Sequence, residues 1–271
     1  MRITASGQTD VGRQRDHNED ACLIDPDLGL YIVCDGMGGH AAGEIASQET
    51  ARLVQASLRR QRAVLSNYVN SPTFEQRTQV LQLVEGAVQE ACAHIYAMGQ
   101  SDPLKKGMGT TIAMLLTLGE AAVIAHAGDS RVYLIRDHQA HQLTEDHSLV
   151  WHMLKTGRLT REEAAHWPYS NVITRSVGTK PTVRTDTLFV ECMARDRFLL
   201  CSDGFHNYLK CEEELAQMSA HLPLEGLVTA CIAMANAGGG SDNVTVVAVQ
   251  VEAVQRTGGK RGSPSLAKSR R

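Results

Sequence analysis

The sequence has no apolar run near the ~18–20 residues that a helix needs to cross a bilayer, so a membrane protein is not expected. Its first residues, MRITASGQTDVGR, contain one early arginine but no apolar segment behind it, and we expect no secretory signal. Proline is scarce, with 7 residues in 271, and the composition is 43% hydrophobic and 21% charged, which argues against collagen-like and disordered chains. The net charge of −3 argues against sequence-independent binding of nucleic acid, which needs concentrated lysine and arginine.

No CxxC pair occurs among the seven cysteines, and their number is odd. Several lie within apolar runs such as YIVCDG and FLLCSDG, where a free thiol behaves as a small buried hydrophobic group. This pattern argues against a disulfide framework and against a thiolate zinc site. It favours a reducing compartment, and we therefore expect the protein in the cytoplasm.

The composition changes at residue 254. Residues 254–271, VQRTGGKRGSPSLAKSRR, contain six basic residues, no acidic ones and no apolar periodicity. Because these six charges are all positive, the preceding residues carry a net charge near −9, against −3 for the whole chain. We predict a disordered basic tail over 254–271. Either it is solvated without a partner, or it docks or localises the protein, and the sequence leaves both open.

Strands are predicted by short β-branched or apolar runs that end at Gly or Asp. Such runs span 30–36, 198–204 and 243–251, and three or four more fall within 110–144. In that last stretch the turns at Gly119-Glu120, Gly128-Asp129 and Asp137-His138 are very short, so each is expected to join antiparallel neighbours.

Helices are predicted where apolar residues recur at helical spacing without internal proline. These segments are 42–60, 74–98 and 222–236, the last ending before three consecutive glycines. Helices that are grouped rather than alternating with strands favour antiparallel sheets covered by helices over an open parallel sheet.

Acidic residues stand where the predicted strands begin or end. Asp35 follows Leu30–Cys34, Asp203 follows Phe198–Ser202, Asp242 precedes Val244–Val251, and Glu19 and Asp20 precede ACLID. A carboxylate at the tip of a buried strand is costly unless it is solvated, paired or bound to a metal. An all-oxygen set favours Mg²⁺ or Mn²⁺ over zinc. Each aspartate alone is also explained as a turn residue, since Asp-Gly is a common turn dipeptide, and on the residues alone both interpretations stay open.

Six short motifs occur in an order that resembles the metal-dependent serine/threonine protein phosphatases of type 2C, in their compact bacterial form. They are Arg15-Asp16-His17-Asn18-Glu19-Asp20, Asp35-Gly36-Met37-Gly38-Gly39-His40, Gly109-Thr110-Thr111, Gly128-Asp129-Ser130-Arg131, Ser202-Asp203-Gly204 and Ser241-Asp242-Asn243. Residues 146–167 and 171–178 are similar to the mobile flap of that family. The resemblance runs from about Gly7 to Val251.

The resemblance implies a centre of two Mn²⁺ or Mg²⁺ ions, with a weaker third. The implied ligands are Glu19, Asp20, Asp35, Asp203 and Asp242, with the main-chain carbonyl of Gly36 and, for the third ion together with Asp203, Asp129. Asp35 would lie between the two principal ions. Two such ions lower the pKa of a shared water, which then attacks phosphorus without a covalent phospho-enzyme.

Two further side chains acquire roles from the resemblance, so the implied catalytic set is Asp35, His40 and Arg15. Arg15, which in isolation would be a surface charge, matches the arginine that grips the substrate phosphate, a task suited to a planar guanidinium. His40 is either the general acid that protonates the leaving oxygen, or a residue at a helix N-terminus that hydrogen-bonds the ligand carboxylates.

The chain departs from the family pattern in two places. Phe205-His206 stands where members usually carry a smaller apolar residue and a small polar one, and Arg195-Asp196 lacks a glycine that often precedes that aspartate. We expect neither departure to touch a metal ligand. Eight other histidines are expected to be structural or surface residues: His126, His138, His141, His147, His152, His166, His206 and His221.

Together these features predict an α/β protein of the α+β type, a four-layer α-β-β-α sandwich of two mainly antiparallel sheets flanked by helices. Residues 1–253 would form a catalytic domain that hydrolyses phosphoserine and phosphothreonine on proteins and reverses a serine/threonine kinase. The expected protein is a monomer whose partners are phosphorylated proteins, including such a kinase. Two alternatives are a phosphoprotein-binding regulator without turnover and a hydrolase of small phosphate esters. No ligand carboxylate is missing, which favours an enzyme over the regulator.

Overall fold

A computed structural model describes residues 1–38, 42–165, 167–169 and 171–253. His40 and the predicted tail over 254–271 lie outside these residues. The strands, numbered in chain order, are β1 (Arg2–Asp10), β2 (Asp20–Asp25), β3 (Leu30–Met37), β4 (Gly109–Thr110), β5 (Ile112–Leu118), β6 (Ala121–Ala127), β7 (Arg131–Arg136), β8 (Gln139–Gln142), β9 (Asp186–Glu191), β10 (Arg197–Cys201) and β11 (Val244–Ala253). The helices are α1 (Ala42–Arg60), α2 (Arg62–Asn70), α3 (Phe74–Ser101), α4 (Leu149–Lys155), α5 (Arg161–Ala165), α6 (Asp203–His206), α7 (Glu212–His221) and α8 (Leu224–Ala237).

The strands form two sheets in which every described pair is antiparallel. One sheet has the order β1-β11-β10-β7-β8. The other has the order β2-β3-β5-β6-β9, and β4 adds to the end of β3. None of the helices in the described ranges is long and apolar enough to cross a bilayer.

Three apolar clusters hold four layers together. Along β3, Tyr31 and Val33 face the other sheet, whereas Ile32 packs toward α1 and α3. Along β10, Leu200 faces the apolar interior between the two sheets, and Leu199 packs toward α7 and α8. Side chains alternate between the faces of a strand, so an uninterrupted apolar run is what a strand covered on both sides requires. The predicted α-β-β-α sandwich is confirmed.

The predicted helices form with small shifts at their ends, and α3 extends to Ser101. A capping box at Thr73 starts α3: its side chain accepts from the backbone N–H of Gln76, and the Gln76 side chain accepts from the Thr73 backbone N–H. The elements that the sequence analysis did not predict include β1, β9, α2 and α7. Each carries its apolar residues in a short or mixed pattern, and each depends on packing against a neighbouring element.

One of the three predicted tight hairpins is wrong. The turns at Gly119 and Asp137 join the paired strands β5–β6 and β7–β8, as predicted. At Gly128-Asp129, however, the chain leaves one sheet and enters the other, because β6 pairs with β9 and β7 pairs with β10. Gly128 has φ of 120°, and a Cβ there would lie 2.6 Å from the Thr111 side chain. The short turn is therefore a crossover between sheets.

Candidate metal centre

The predicted carboxylate ligands come together at one end of the two sheets. Asp20 and Asp35 are direct partners across the antiparallel pair β2–β3. The Ser202 hydroxyl donates to Asp20 Oδ2 at 2.7 Å, which brings the β10–α6 junction, and with it Asp203, to the same place. Thus three of the segments that the sequence analysis singled out share one site.

The start of β11 supplies the fourth segment. The backbone N–H of Glu19 donates to Asn243 Oδ1 at 2.8 Å, so Glu19 lies beside the residue that follows Asp242. Asp129, at the crossover between sheets, is close enough for its charge to raise the pKa of Asp35. All six predicted carboxylate ligands therefore belong to one cluster.

Burial and mutual repulsion make these carboxylates costly to ionise. Burial is the main reason that the pKa of Asp20 rises from 3.8 to about 7, and Asp203 and Asp242 raise it further. Burial also raises the pKa of Asp129 to about 7, with Asp203 adding to it. The pKa of Asp35 lies well above its ordinary value, first through burial and then through its acidic neighbours. The cluster thus needs positive charge that its own side chains do not supply.

Unpartnered oxygen atoms point to what supplies that charge. Within the described part of the chain, eight buried side-chain N or O atoms have no hydrogen-bond partner, and four of them are carboxylate oxygens. These four are Glu19 Oε1, Asp20 Oδ1, Asp129 Oδ1 and Asp203 Oδ1. A buried carboxylate oxygen without a donor is rare and costly unless an ion binds it. An all-oxygen set of this kind fits Mg²⁺ or Mn²⁺.

The two Asp-Gly pairs are not turns. Gly36 lies within β3, where a Cβ would come 2.4 Å from the Glu19 carbonyl oxygen and 2.2 Å from that of Gly43. Gly204 lies in α6, where a Cβ would come 1.9 Å from the Asn243 carbonyl oxygen. Each glycine lets a second backbone segment approach the aspartate before it. This packing requirement replaces the turn interpretation.

Comparison with known proteins decides the family. A sequence profile for protein phosphatase 2C matches residues 9–236. The serine/threonine phosphatase stp of Listeria monocytogenes is 36% identical over 255 residues, which are 93% of this chain and 97% of that protein. The chain belongs to the protein phosphatase 2C family. The resemblance read from the six motifs is confirmed.

Solved structures of protein phosphatase 2C relatives have the same fold. The serine/threonine phosphatase of S. agalactiae superimposes with a TM-score of 0.81 at 35% identity, over 93% of this chain and 100% of that one. The catalytic domain of the serine/threonine protein phosphatase PstP, solved with two manganese ions, gives a TM-score of 0.75 at 34% identity, over 93% of this chain and 99% of that one.

Arg15, the predicted phosphate ligand, stands at the mouth of the centre. Its Nη2 donates to Asp242 Oδ2 at 2.7 Å, and its side chain is 50% exposed. One carboxylate therefore orients the guanidinium while much of its donor edge faces solvent. This is the arrangement that a phosphate-binding arginine requires.

The family motif Gly109-Thr110-Thr111 fixes the backbone of Asp35. The hydroxyl of Thr111 accepts from the Asp35 N–H at 2.9 Å, and the hydroxyl of Thr110 donates to the Asp35 carbonyl at 2.8 Å. Thr111 Oγ1 also lies 2.7 Å from Ser130 Oγ, which ties the Asp35 strand to the crossover. The motif therefore positions one ligand strand against the next rather than contributing a ligand.

Asn243 and Ser202 have roles that the sequence analysis missed. The Asn243 amide nitrogen donates to the carbonyls of Val11 and His17, at 2.9 Å each, so this side chain holds the segment that carries Arg15 and Glu19. Ser202 accepts from the Thr245 N–H at 3.0 Å while it donates to Asp20. Both residues stand next to predicted ligands in quoted motifs, and that adjacency was the available signal.

The expectation that neither departure touches a ligand residue is wrong for His206. Its Nε2 lies 3.0 Å from the main-chain carbonyl oxygen of Asp129. Burial lowers the pKa of His206 to about 3, so the ring is neutral and donates this proton. At the other departure, Arg195 has φ of 74°, a conformation that glycine adopts more readily. No contact between Arg195 and the centre is found among the described residues.

A second group of titratable side chains lies beside the crossover. His126, His147 and Asp186 place one potential ligand atom each within 4.8 Å of one another. Arg175 Nη1 lies 2.9 Å from His147 Nε2 and donates to Asp186 Oδ1 at 2.8 Å. A guanidinium therefore already neutralises this carboxylate. We interpret the group as a partly buried ion-pair cluster, in agreement with the structural role expected for both histidines.

Proposed function

We propose that this protein phosphatase 2C member removes phosphate from phosphoserine and phosphothreonine on proteins, using water activated at a centre of two Mn²⁺ or Mg²⁺ ions. The observation that carries the proposal is the set of buried, unpartnered carboxylate oxygens at the end of the sheets. The two manganese ions in the solved PstP domain, at 34% identity, support the same choice of cation.

The chain's own side chains bind and orient the reactants. Glu19, Asp20, Asp35, Asp203 and Asp242, with the Gly36 carbonyl, would hold the two ions, and Asp129 with Asp203 a third. When bound, the ions supply a water of lowered pKa and offset the negative charge of the phosphoryl group. Arg15 would bind oxygens of the substrate phosphate, with Asp242 fixing its orientation.

The substrates in this proposal are phosphorylated proteins, among them a serine/threonine kinase, and the enzyme acts as a monomer. We also place it in the cytoplasm. The thiols support that location, because all seven cysteines are free and five of them are buried.

The test is phosphate release from a phosphothreonine peptide by the full-length protein, with Mn²⁺, with Mg²⁺ and with EDTA. Wild type should turn over with metal and stop in EDTA, and Asp203→Asn should be inactive in all three. A matched control is Asp196→Asn. This aspartate is also buried, but Arg136 binds it at 2.6 Å, so its loss should leave metal dependence unchanged.

Two results would contradict the proposal. A wild-type protein that binds the phosphopeptide but releases no phosphate with either metal would be a binding module on a phosphatase fold. Turnover of a small aryl phosphate without turnover of any phosphopeptide would assign it to small phosphate esters.

A further inference from the structure

His206 links the two aspartates that the proposed function places around a third cation. His206 is the last residue of α6, the single helical turn that begins at Asp203. From the end of that turn its Nε2–H donates to the carbonyl of Asp129 at 3.0 Å. One side chain therefore connects the backbone that carries Asp203 to the backbone that carries Asp129.

The same crossover is held from its other side. The Gly128 carbonyl accepts from the His147 backbone N–H at 2.8 Å, and His126 Nε2 lies 3.2 Å from the same oxygen. The Gly128 N–H donates to His147 Nδ1 at 3.2 Å. These contacts fix Gly128 relative to its own sheet and to the 146–178 segment. Of the contacts named here, only the one from His206 reaches across to α6.

We infer that His206 is a positioning residue for the cation site shared by Asp129 and Asp203, an inference that rests on the proposed function. Asp129 Oδ1 and Asp203 Oδ1 are both buried without hydrogen-bond partners among the described residues, so their side chains are not held by other groups at those atoms. Asn207 Nδ2 reaches only the other oxygen of Asp203, Oδ2, at 3.4 Å. The separation of the two backbones that carry Asp129 and Asp203, which His206 joins, therefore helps to set the distance between the two unpartnered oxygens. A cation site loses affinity when its ligands must be reordered on binding.

This role belongs to the residue at which the chain departs from its family pattern. A small polar residue after Ser-Asp-Gly-Phe would not reach the crossover as an imidazole does. The phenylalanine before it is fully buried and fixes the turn from which His206 projects. The departure therefore has a structural purpose at the centre.

The experiment compares Mn²⁺ binding isotherms of the full-length, EDTA-stripped protein, with free Mn²⁺ measured by electron paramagnetic resonance. Wild type should show two tighter ions and one weaker ion. His206→Leu removes the donor and should weaken only the weakest ion, by about tenfold or more, as loss of an outer hydrogen bond does. His206→Gln keeps an N–H at a similar reach and should restore binding to within about threefold of wild type.

Two controls separate positioning from general loss of stability. Asp129→Asn should remove the weakest ion outright. Thr117→Val removes another buried donor to a backbone carbonyl, that of Gly29 at 3.2 Å, at the far end of β5 from the centre, and should leave the isotherm unchanged. If the leucine variant does not fold, His206→Asn replaces it, because asparagine is too short to reach Asp129.

The inference is overturned if His206→Leu binds Mn²⁺ as wild type does, if glutamine restores nothing, or if all three ions weaken together. It is also overturned if wild type binds only two ions. Phosphate release by the same samples tests the proposed function separately. An inactive wild type whose isotherm responds as expected would refute the function and leave the role of His206 standing.

Discussion

Strand β2 begins and ends with a buried aspartate, Asp20 and Asp25, and the two carboxylates differ in the partners that stabilise their negative charge. Asp25 is 4% exposed and Asp20 is 5% exposed. Asp25 accepts from Gln55 at 2.7 Å and from Arg59 at 2.8 Å. Although burial opposes ionisation, these donors lower the pKa of Asp25. Asp20 accepts from the Ser202 hydroxyl at 2.7 Å, keeps Oδ1 unpartnered among the described residues, and has a pKa that burial raises to about 7.

This difference separates a charge that the fold neutralises from one that it leaves for a ligand. At the Asp25 end the protein supplies its own cation, so the ion pair is complete when the chain folds. At the Asp20 end, several acidic residues lie together. Arg15 pairs with Asp242 and His17 lies 3.6 Å from Glu19, and both of these side chains are about half exposed at the rim. The unpaired end is less stable alone, and that deficit is available as binding energy for divalent cations.

The largest expected effect comes from neutralising one carboxylate at each end. Asp35→Asn, at the unpaired end, should lower phosphate release from a phosphothreonine peptide by about 10³-fold, which corresponds to about 4 kcal/mol of lost transition-state stabilisation. Asp25→Asn, at the paired end, should leave turnover per folded molecule within about twofold. Initial rates at saturating Mn²⁺ measure both. Equal losses in the two variants would contradict the distinction between the ends.

A smaller effect is expected from removing the cation at the paired end. Arg59→Met should lower the free energy of unfolding by about 1–3 kcal/mol, because it leaves the Asp25 carboxylate buried with weaker partners. Its turnover at saturating Mn²⁺ should not change. Urea unfolding followed by circular dichroism measures the loss. The control is Arg52→Met, which breaks an exposed pair with Glu49 and should leave the free energy of unfolding close to that of wild type.

The sequence predicts much of this candidate centre because each proposed ligand is adjacent, along the chain, to the strand or helix that positions it. Glu19-Asp20, Asp35-Gly36, Asp203-Gly204 and Asp242-Asn243 each put a carboxylate at the boundary of an apolar run. In both sheets, these boundaries lie at the same end of the strands. The layered fold is predictable for a similar reason. Residues 30–34 of β3 and 198–201 of β10 are apolar and buried without a break, as strands covered on both faces require.

The remaining features depend on contacts between distant segments, which spacing does not encode. A short turn at Gly128-Asp129 is equally compatible with a hairpin and with a crossover, and the pairing of β7 with β10 decides. The contact from His206 to Asp129 joins residues 77 positions apart. Asp20 and Asp25 look alike in the sequence, because Gln55 and Arg59, which distinguish them, come from α1.

The two ends of β2 should also respond to pH with opposite signs. A pKa raised by folding, as for Asp20, contributes stability that is present below pH 3.8 and lost as the pH rises through about 7 in the absence of metal. A pKa lowered by folding, as for Asp25, contributes stability that is present above its ordinary pKa of 3.8 and lost on acidification. The metal-free protein should therefore be destabilised at the centre between about pH 4 and 7.

Asp20→Asn tests this smallest effect, because it removes the charge at the unpaired end and keeps the shape. In EDTA the variant should melt at least about 2–4 °C above wild type at pH 8, as about 1 kcal/mol does in a domain of this size, and by a smaller margin at pH 5, where Asp20 of the folded wild type is protonated. Scanning calorimetry at the two pH values gives the difference. With saturating Mn²⁺ the order should reverse, since only wild type keeps the full ligand set. A difference in Tm that is the same at pH 5 and pH 8 would show that the Asp20 charge is not a liability in the metal-free fold.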